Sequence, residues 1–214
     1  MKINLNEILT LWYGGIKPHR LELIQNTISE LNLKAKHVPT TVSDAAVGFV
    51  RIGCSSSHKN ALEESMKHSG PVLILEDDAS PSKWFTNTIE IPDDADAFYA
   101  GTCLNAIHPY WEKMGPDEGC CGELEVLGSY DNFYKISKML TTHAIIYISD
   151  KYKKDCYDLL HENNGKRYLD VLFASRMHKY NVYAPKYPLF YQNCEKENYD
   201  AYIKTITPLV SILN

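Results

Sequence analysis

Gly70-Pro71-Val72-Leu73-Ile74-Leu75-Glu76-Asp77-Asp78 is the stretch on which the fold turns. A glycine–proline turn opens it. Pro71 to Leu75 are apolar without a break, and three carboxylates close the run. An uninterrupted apolar segment of this length suits a strand buried on both faces, as in the middle of a parallel sheet. Carboxylates that follow such a strand stand at its carboxyl end, where open α/β sheets bind ligands. Three adjacent acids repel one another unless a positive charge lies among them. Two readings are open from these residues alone: a divalent-cation site that grips a diphosphate, or an acidic turn after a core strand.

Working outward, the chain alternates strand and helix. Asn6 to Tyr13 reads as a first strand, stopped by Gly14-Gly15. Pro18 opens a helix with Leu21, Ile24, Ile28 and Leu31 at helical spacing. A short strand is expected over 36–42. Ser55-Ser56-Ser57 read as N-cap residues of a helix from about 57 to 68, with Gly70 just past its end. Lys83 to Thr88 reads as a short helix, and Asp96 to Gly101 as a strand. Residues 104–122 hold two prolines, three glycines, Tyr110 and Trp111, and read as a long binding loop or lid. A β-ribbon over 124–136, a strand over His143–Ile148, a helix capped by Ser149 or Asp150 and a helix over 167–179 follow. Short strands at 181–184 and 188–191 precede a weakly amphipathic tail. This order predicts an α/β fold with a mostly parallel sheet in one domain over 1–214.

Composition limits the partners. The chain has 214 residues, 44% of them hydrophobic, which is ordinary globular composition. A net charge of −5 with no basic block argues against non-specific nucleic-acid binding. No run of about 18 apolar residues occurs, so no membrane span is expected. The first residues lack a secretory signal pattern. The six cysteines form no C-x-x-C pair, so free thiols in a reducing, cytoplasmic compartment are expected rather than a zinc site.

Five separated pieces, taken in order, resemble the family 25 glycosyltransferases, which include lipooligosaccharide and collagen galactosyltransferases. They are Gly53-Cys54-Ser55-Ser56-Ser57-His58, Leu75-Glu76-Asp77-Asp78, Asp96 to Gly101, Thr142 to Ser149, and Leu169-Asp170-Val171. The compact size is also similar to the small glycosyltransferase domains of large algal DNA viruses. The resemblance implies a GT-A fold and transfer of a sugar from a UDP-sugar to a hydroxyl of a glycan or glycoprotein, with inversion. Glucose and galactose are the first donor sugars to consider, and a viral setting adds a deoxysugar such as rhamnose.

The resemblance also distributes roles. Asp78, with Glu76 beside it, would hold Mn²⁺ or Mg²⁺ to neutralise the leaving diphosphate. Glu76 and Asp77 would lie near the ribose or the metal's waters. Thr10, Leu11, Trp12 and Tyr13 end the first strand, where this fold places the nucleoside; Trp12 reads as core in preference to a nucleoside contact. Arg51, Ser57 and His58 flank a helix start suited to phosphate, and His58 reads equally as a structural histidine. His143 and Gln192 adjoin strand ends within reach of the donor sugar or metal. Asp170 would take the acceptor hydroxyl's proton. Two rival readings use the same residues: a metal-dependent phosphohydrolase, and a nucleotide-sugar-binding module without catalysis.

Overall fold

The structure, a computed structural model, describes residues 1–41, 47–101, 124–163 and 166–193, with 47–51 described by backbone alone. The strands are β1 (Lys2–Asn4), β2 (Leu9–Tyr13), β3 (Lys34–His37), β4 (Val72–Glu76), β5 (Ala79–Pro81), β6 (Thr88–Glu90), β7 (Ala97–Tyr99), β8 (Glu125–Ser129), β9 (Phe133–Lys138), β10 (Ala144–Tyr147), β11 (Val182–Pro185) and β12 (Phe190–Gln192). The helices are α1 (Pro18–Glu30), α2 (Val47–Ser65), α3 (Asp150–Asn163) and α4 (Leu169–Met177).

Eight strands form one sheet in the order β3-β2-β4-β10-β7-β11-β9-β8. β3, β2, β4, β7, β11 and β8 run one way, and β10 and β9 run against them. The sheet is therefore mixed and mostly parallel in direction, as the alternating pattern predicts. Two small antiparallel ribbons, β1–β6 and β5–β12, flank it.

β4 explains the arrangement. Val72, Leu73, Ile74 and Leu75 are all 0% exposed. Val72 and Ile74 join a core cluster with Leu62, Tyr147, Leu159 and Phe173, so α2, α3 and α4 cover that face. Leu73 and Leu75 join Ile24, Leu33, Ile89 and Phe190 on the other face, under α1 and the ribbons. Successive side chains of a strand point to opposite faces, so only a strand covered on both sides can be apolar throughout. Each such side chain contributes roughly 1.5–3 kcal/mol by leaving water.

Several expectations need adjustment, each for a local reason. Residues 6–8 form a turn instead of strand, because the Asn4 side chain accepts from the Asn6 N–H and the Asn4 carbonyl from the Glu7 N–H. The second strand ends at His37, earlier than expected. Residues 83–87 make turns and bends, anchored where Ser82 Oγ accepts from the Trp84 N–H. The serine triplet lies inside α2, which begins ten residues before the expected start. Ser57 Oγ donates to the Gly53 carbonyl at 2.7 Å, one turn back, and accepts from the Thr41 N–H at 2.9 Å. Its hydroxyl thus ties the segment after β3 to the middle of α2. The expected cap of α3 is observed: Ser149 Oγ accepts from the Tyr152 N–H. The aromatic loop of 104–122, Cys103, Cys120, Cys121, Cys194 and the C-terminal tail lie outside the described residues.

Candidate functional site

The connections around β2 create a crevice. From β2 the chain passes through α1 to β3 on one side, then through α2 to β4 on the other. α1 packs on one face of the sheet and α2 on the opposite face, seen in Ile24 and Leu62 joining different clusters. The two connections leave in opposite directions, so a cleft opens beyond the carboxyl ends of β2 and β4, the usual ligand position in α/β sheets. Tyr13 pairs with Glu76 at that edge, and the acidic run follows directly.

Each carboxylate of the run has a different setting. Glu76 Oε1 accepts from Thr142 Oγ1 at 2.7 Å. Burial pushes its pKa up to about 8, and the Asp78 charge adds to the rise. Asp77 Oδ2 accepts from the Gly15 N–H at 2.6 Å, and Oδ1 accepts from Arg20 at 3.1 Å. This seat requires glycine at position 14: φ is +103°, and an added Cβ would lie 2.3 Å from Asp77 Cγ. Asp78 is 4% exposed. Its Oδ2 accepts from Gln192 Nε2 at 3.2 Å and lies 3.3 Å from Arg20. Its Oδ1 is buried with no hydrogen-bond partner. Burial raises the Asp78 pKa to about 6, against the pull of Arg20. The Asn193 N–H donates to its carbonyl at 2.7 Å, which pins the end of β12 against the turn.

His143 stands across β4, where its carbonyl accepts from the Glu76 N–H at 2.9 Å. Its Nδ1 contacts Thr141 Oγ1 at 2.8 Å, and its ring lies against Gly101, where an added Cβ would be 2.2 Å from Nε2. Burial lowers its pKa to about 4, opposed by a smaller effect of the Phe190 backbone. Asp170 is half-buried in the first turn of α4, where Oδ1 accepts from the Val171 N–H at 2.8 Å. Burial pushes the Cys54 thiol well up, and the charges of Glu76, Asp78 and Asp170 all add to that shift.

Other expected site residues do not reach the crevice. Thr10 and Leu11 are 0% exposed, and both are hydrogen-bonded into the ladder between β3 and β4. The backbone of Thr10 and Leu11 is thus occupied within the sheet. Trp12 is core, tilted on His37 with ring centroids 4.2 Å apart. Ser57 is buried in α2 and serves its packing. His58 is fully enclosed: Nδ1 meets the Tyr13 hydroxyl and Nε2 the Tyr147 hydroxyl, both at 2.8 Å, and burial lowers its pKa to about 3. No helix start exists beside it, because α2 runs through, and in place of the expected phosphate cradle Ser57 and His58 form a buried polar joint. The Arg51 side chain lies outside the described residues. Arg20 and Thr142 are the site residues that sequence reading passed over. For Arg20 a signal existed: a cation in a first helical turn opposes the helix dipole and implies an acidic partner.

Among the described residues, no three His, Cys, Asp or Glu side chains form a metal-holding group. The test for a cation is the open Asp78 Oδ1. Mg²⁺ and Mn²⁺ are commonly held by one or two carboxylates plus substrate phosphates, not by all-protein cages. One buried, unpartnered carboxylate oxygen at a cleft fits that mode. Glu76 fits less well, since one oxygen is engaged by Thr142 and burial favours its neutral form.

The sheet order, the reversed pair β10 and β9 and the helices on both faces make this a GT-A-like fold. The similarity is to a crystal structure of a glycosyltransferase involved in the glycosylation of the major capsid of PBCV-1. It has a TM-score of 0.52 at 14% identity, covering 91% of this chain and 99% of that one. Two further solved structures are a nucleoside-diphosphate-sugar pyrophosphorylase from Vibrio cholerae RC9 (TM-score 0.43, 12% identity, 84% and 73% coverage) and a UDP-glucose pyrophosphorylase complexed with UDP-glucose (TM-score 0.44, 9% identity, 92% and 79% coverage). No protein-family model matches the chain, and no curated protein sequence matches it. No helix among the described residues is long and apolar enough to cross a membrane.

Proposed function

We propose that this chain is a metal-dependent glycosyltransferase of the family 25 type, one domain that moves a hexose or deoxyhexose from a UDP-sugar to a glycan or glycoprotein hydroxyl with inversion. The observation that carries the reading is Asp78: a buried carboxylate with an open oxygen, at the strand-end crevice of a GT-A-like sheet. Asp78 would hold Mn²⁺ or Mg²⁺ through Oδ1, and that ion, when bound, would neutralise charge developing on the leaving diphosphate. Gln192 orients the carboxylate by engaging Oδ2. Glu76 supports the site from behind and bonds Thr142, and Tyr13 closes its wall. His143, set by Thr141 and Gly101, lines the side toward β7. Asp170 takes the proton of the acceptor hydroxyl as it attacks the anomeric carbon.

The test is a thermal-shift panel of UDP, GDP, CMP and dTDP sugars, each with and without Mn²⁺. UDP compounds should raise the melting temperature only with metal, and Asp78→Ala should abolish the rise. Stabilisation by GDP or CMP compounds instead would overturn the donor assignment. UDP release at high turnover with no glycosylated product would favour a phosphohydrolase.

A further inference from the structure

Arg20 contacts the acidic run in two unequal ways. It donates a hydrogen bond to Asp77 Oδ1 at 3.1 Å, and it makes a longer ion pair of 3.3 Å with Asp78 Oδ2. Asp77 is itself fixed by the Gly15 N–H at 2.6 Å and by the close approach of Gly14. Asp78 Oδ2 has a second donor, Gln192. Asp77 is thus the tether of Arg20, and Asp78 is a partner with a substitute at hand. Arg20 also stands in the first turn of a thirteen-residue helix that carries no acid in that turn, where the helix dipole disfavours a cation. The Arg20 side chain is only 28% exposed, so its charge keeps much of its electrostatic strength.

We propose that Arg20 is an exchangeable counter-ion: tethered to Asp77, it neutralises Asp78 in the ligand-free protein and turns to the diphosphate when Asp78 Oδ1 takes a divalent cation. This rests on the nucleotide-sugar reading above. Two facts make the exchange favourable. A guanidinium near a doubly charged ion is repelled, and a planar five-donor fork matches phosphate oxygens better than it matches the single oxygen of Asp78. The dipole of α1, unfavourable to Arg20 alone, becomes favourable once an anion lies between them. Arg20 is thus a positioning residue that couples metal binding to nucleotide binding.

The exchange predicts effects of opposite sign from one substitution. Mn²⁺ alone is titrated onto the full chain by electron paramagnetic resonance of the free ion, and UDP is then titrated by calorimetry at saturating Mn²⁺. Arg20→Gln should bind Mn²⁺ about tenfold more tightly, because the competing cation is gone, and UDP about tenfold more weakly. Arg20→Lys keeps a charge but loses the fork, so it should bind Mn²⁺ as the wild type does and UDP with intermediate affinity. If Arg20→Gln binds Mn²⁺ no more tightly than the wild type, Arg20 is a fixed structural ion pair and the proposal fails while the nucleotide-sugar reading stands. If the wild type binds no UDP with Mn²⁺ present, that reading fails and the role of Arg20 fails with it. Should Arg20→Gln not fold, Arg20→Lys decides alone: weaker UDP with unchanged Mn²⁺ supports the exchange, and weakening of both overturns it.

Discussion

His58 and Asp78 are both polar, both nearly inaccessible and both near the carboxyl end of β2 and β4, yet their surroundings differ in one respect. Both nitrogens of His58 have a tyrosine hydroxyl at 2.8 Å, whereas Asp78 keeps one oxygen with no partner. A neutral imidazole offers one donor and one acceptor, so two hydroxyls satisfy it completely. Tyr13 and Tyr147 then pin α2 to β2 and β10, and the joint is finished. An unpartnered carboxylate oxygen costs free energy that the fold does not recover by itself. The satisfied group is complete within the fold, and the unsatisfied one is the atom on which the proposed cation site rests.

The sharpest way to break this contrast is at Asp78. Asp78→Asn keeps the shape but removes the charge, and it should lower sugar transfer about a thousandfold, roughly 4 kcal/mol of barrier. Its melting temperature without ligand should be equal or higher, since a buried charge has been relieved. A variant that unfolds instead would make Asp78 scaffold like His58. His58→Ala should do the reverse, costing about 3 kcal/mol in denaturant unfolding through a cavity and two orphaned hydroxyls. Its donor KM, measured where the protein is still folded, should change less than about twofold.

Smaller effects sharpen the same line. Gly101→Ala drives a methyl into the His143 ring and should cost about 2 kcal/mol, with a rise in donor KM as the ring shifts. The buried histidines and the acidic run titrate with opposite sign. His58 and His143 have pKa values lowered by burial to about 3 and 4, so the unfolded chain binds more protons below pH 6.5. Their contribution to stability is complete above pH 6.5 and is lost on acidification, by up to about 1.4 kcal/mol per pH unit for each. Glu76, raised to about 8, holds its proton longer in the folded protein. Stability should therefore fall from pH 6.5 to 8, by less than about 1.4 kcal/mol per unit, and Glu76→Gln should flatten that slope in melting curves.

Much of the fold was legible because it is written in short-range pattern. The unbroken apolar run at Val72–Leu75 requires cover on both faces, whatever does the covering. The inward residues of α4, Leu169, Leu172, Phe173 and Met177, are legible from helical spacing alone, and all four are buried. The serine triplet was misread for an equally local reason. Serine favours caps because its hydroxyl competes for backbone groups, but the same hydroxyl bonds back to a carbonyl one turn earlier, as Ser57 does to Gly53. Only the turn before it distinguishes a cap from a mid-helix serine, and that turn carries no strong marker.

A buried strand ending in three carboxylates, with strands and helices alternating around it, can be read from residue order, because periodicity and turn chemistry act over a few residues. Tertiary structure alone decided which carboxylate is open. Asp77 is claimed by Gly15 and Arg20, Glu76 by Thr142, and half of Asp78 by Gln192, partners 57 to 114 residues away in the chain. Spacing along the chain carries no record of such meetings. They exist only once the sheet order brings β2, β10 and β12 to the end of β4, and they leave Asp78 Oδ1 as the one oxygen that this acidic run, among the described residues, still presents buried and unpaired.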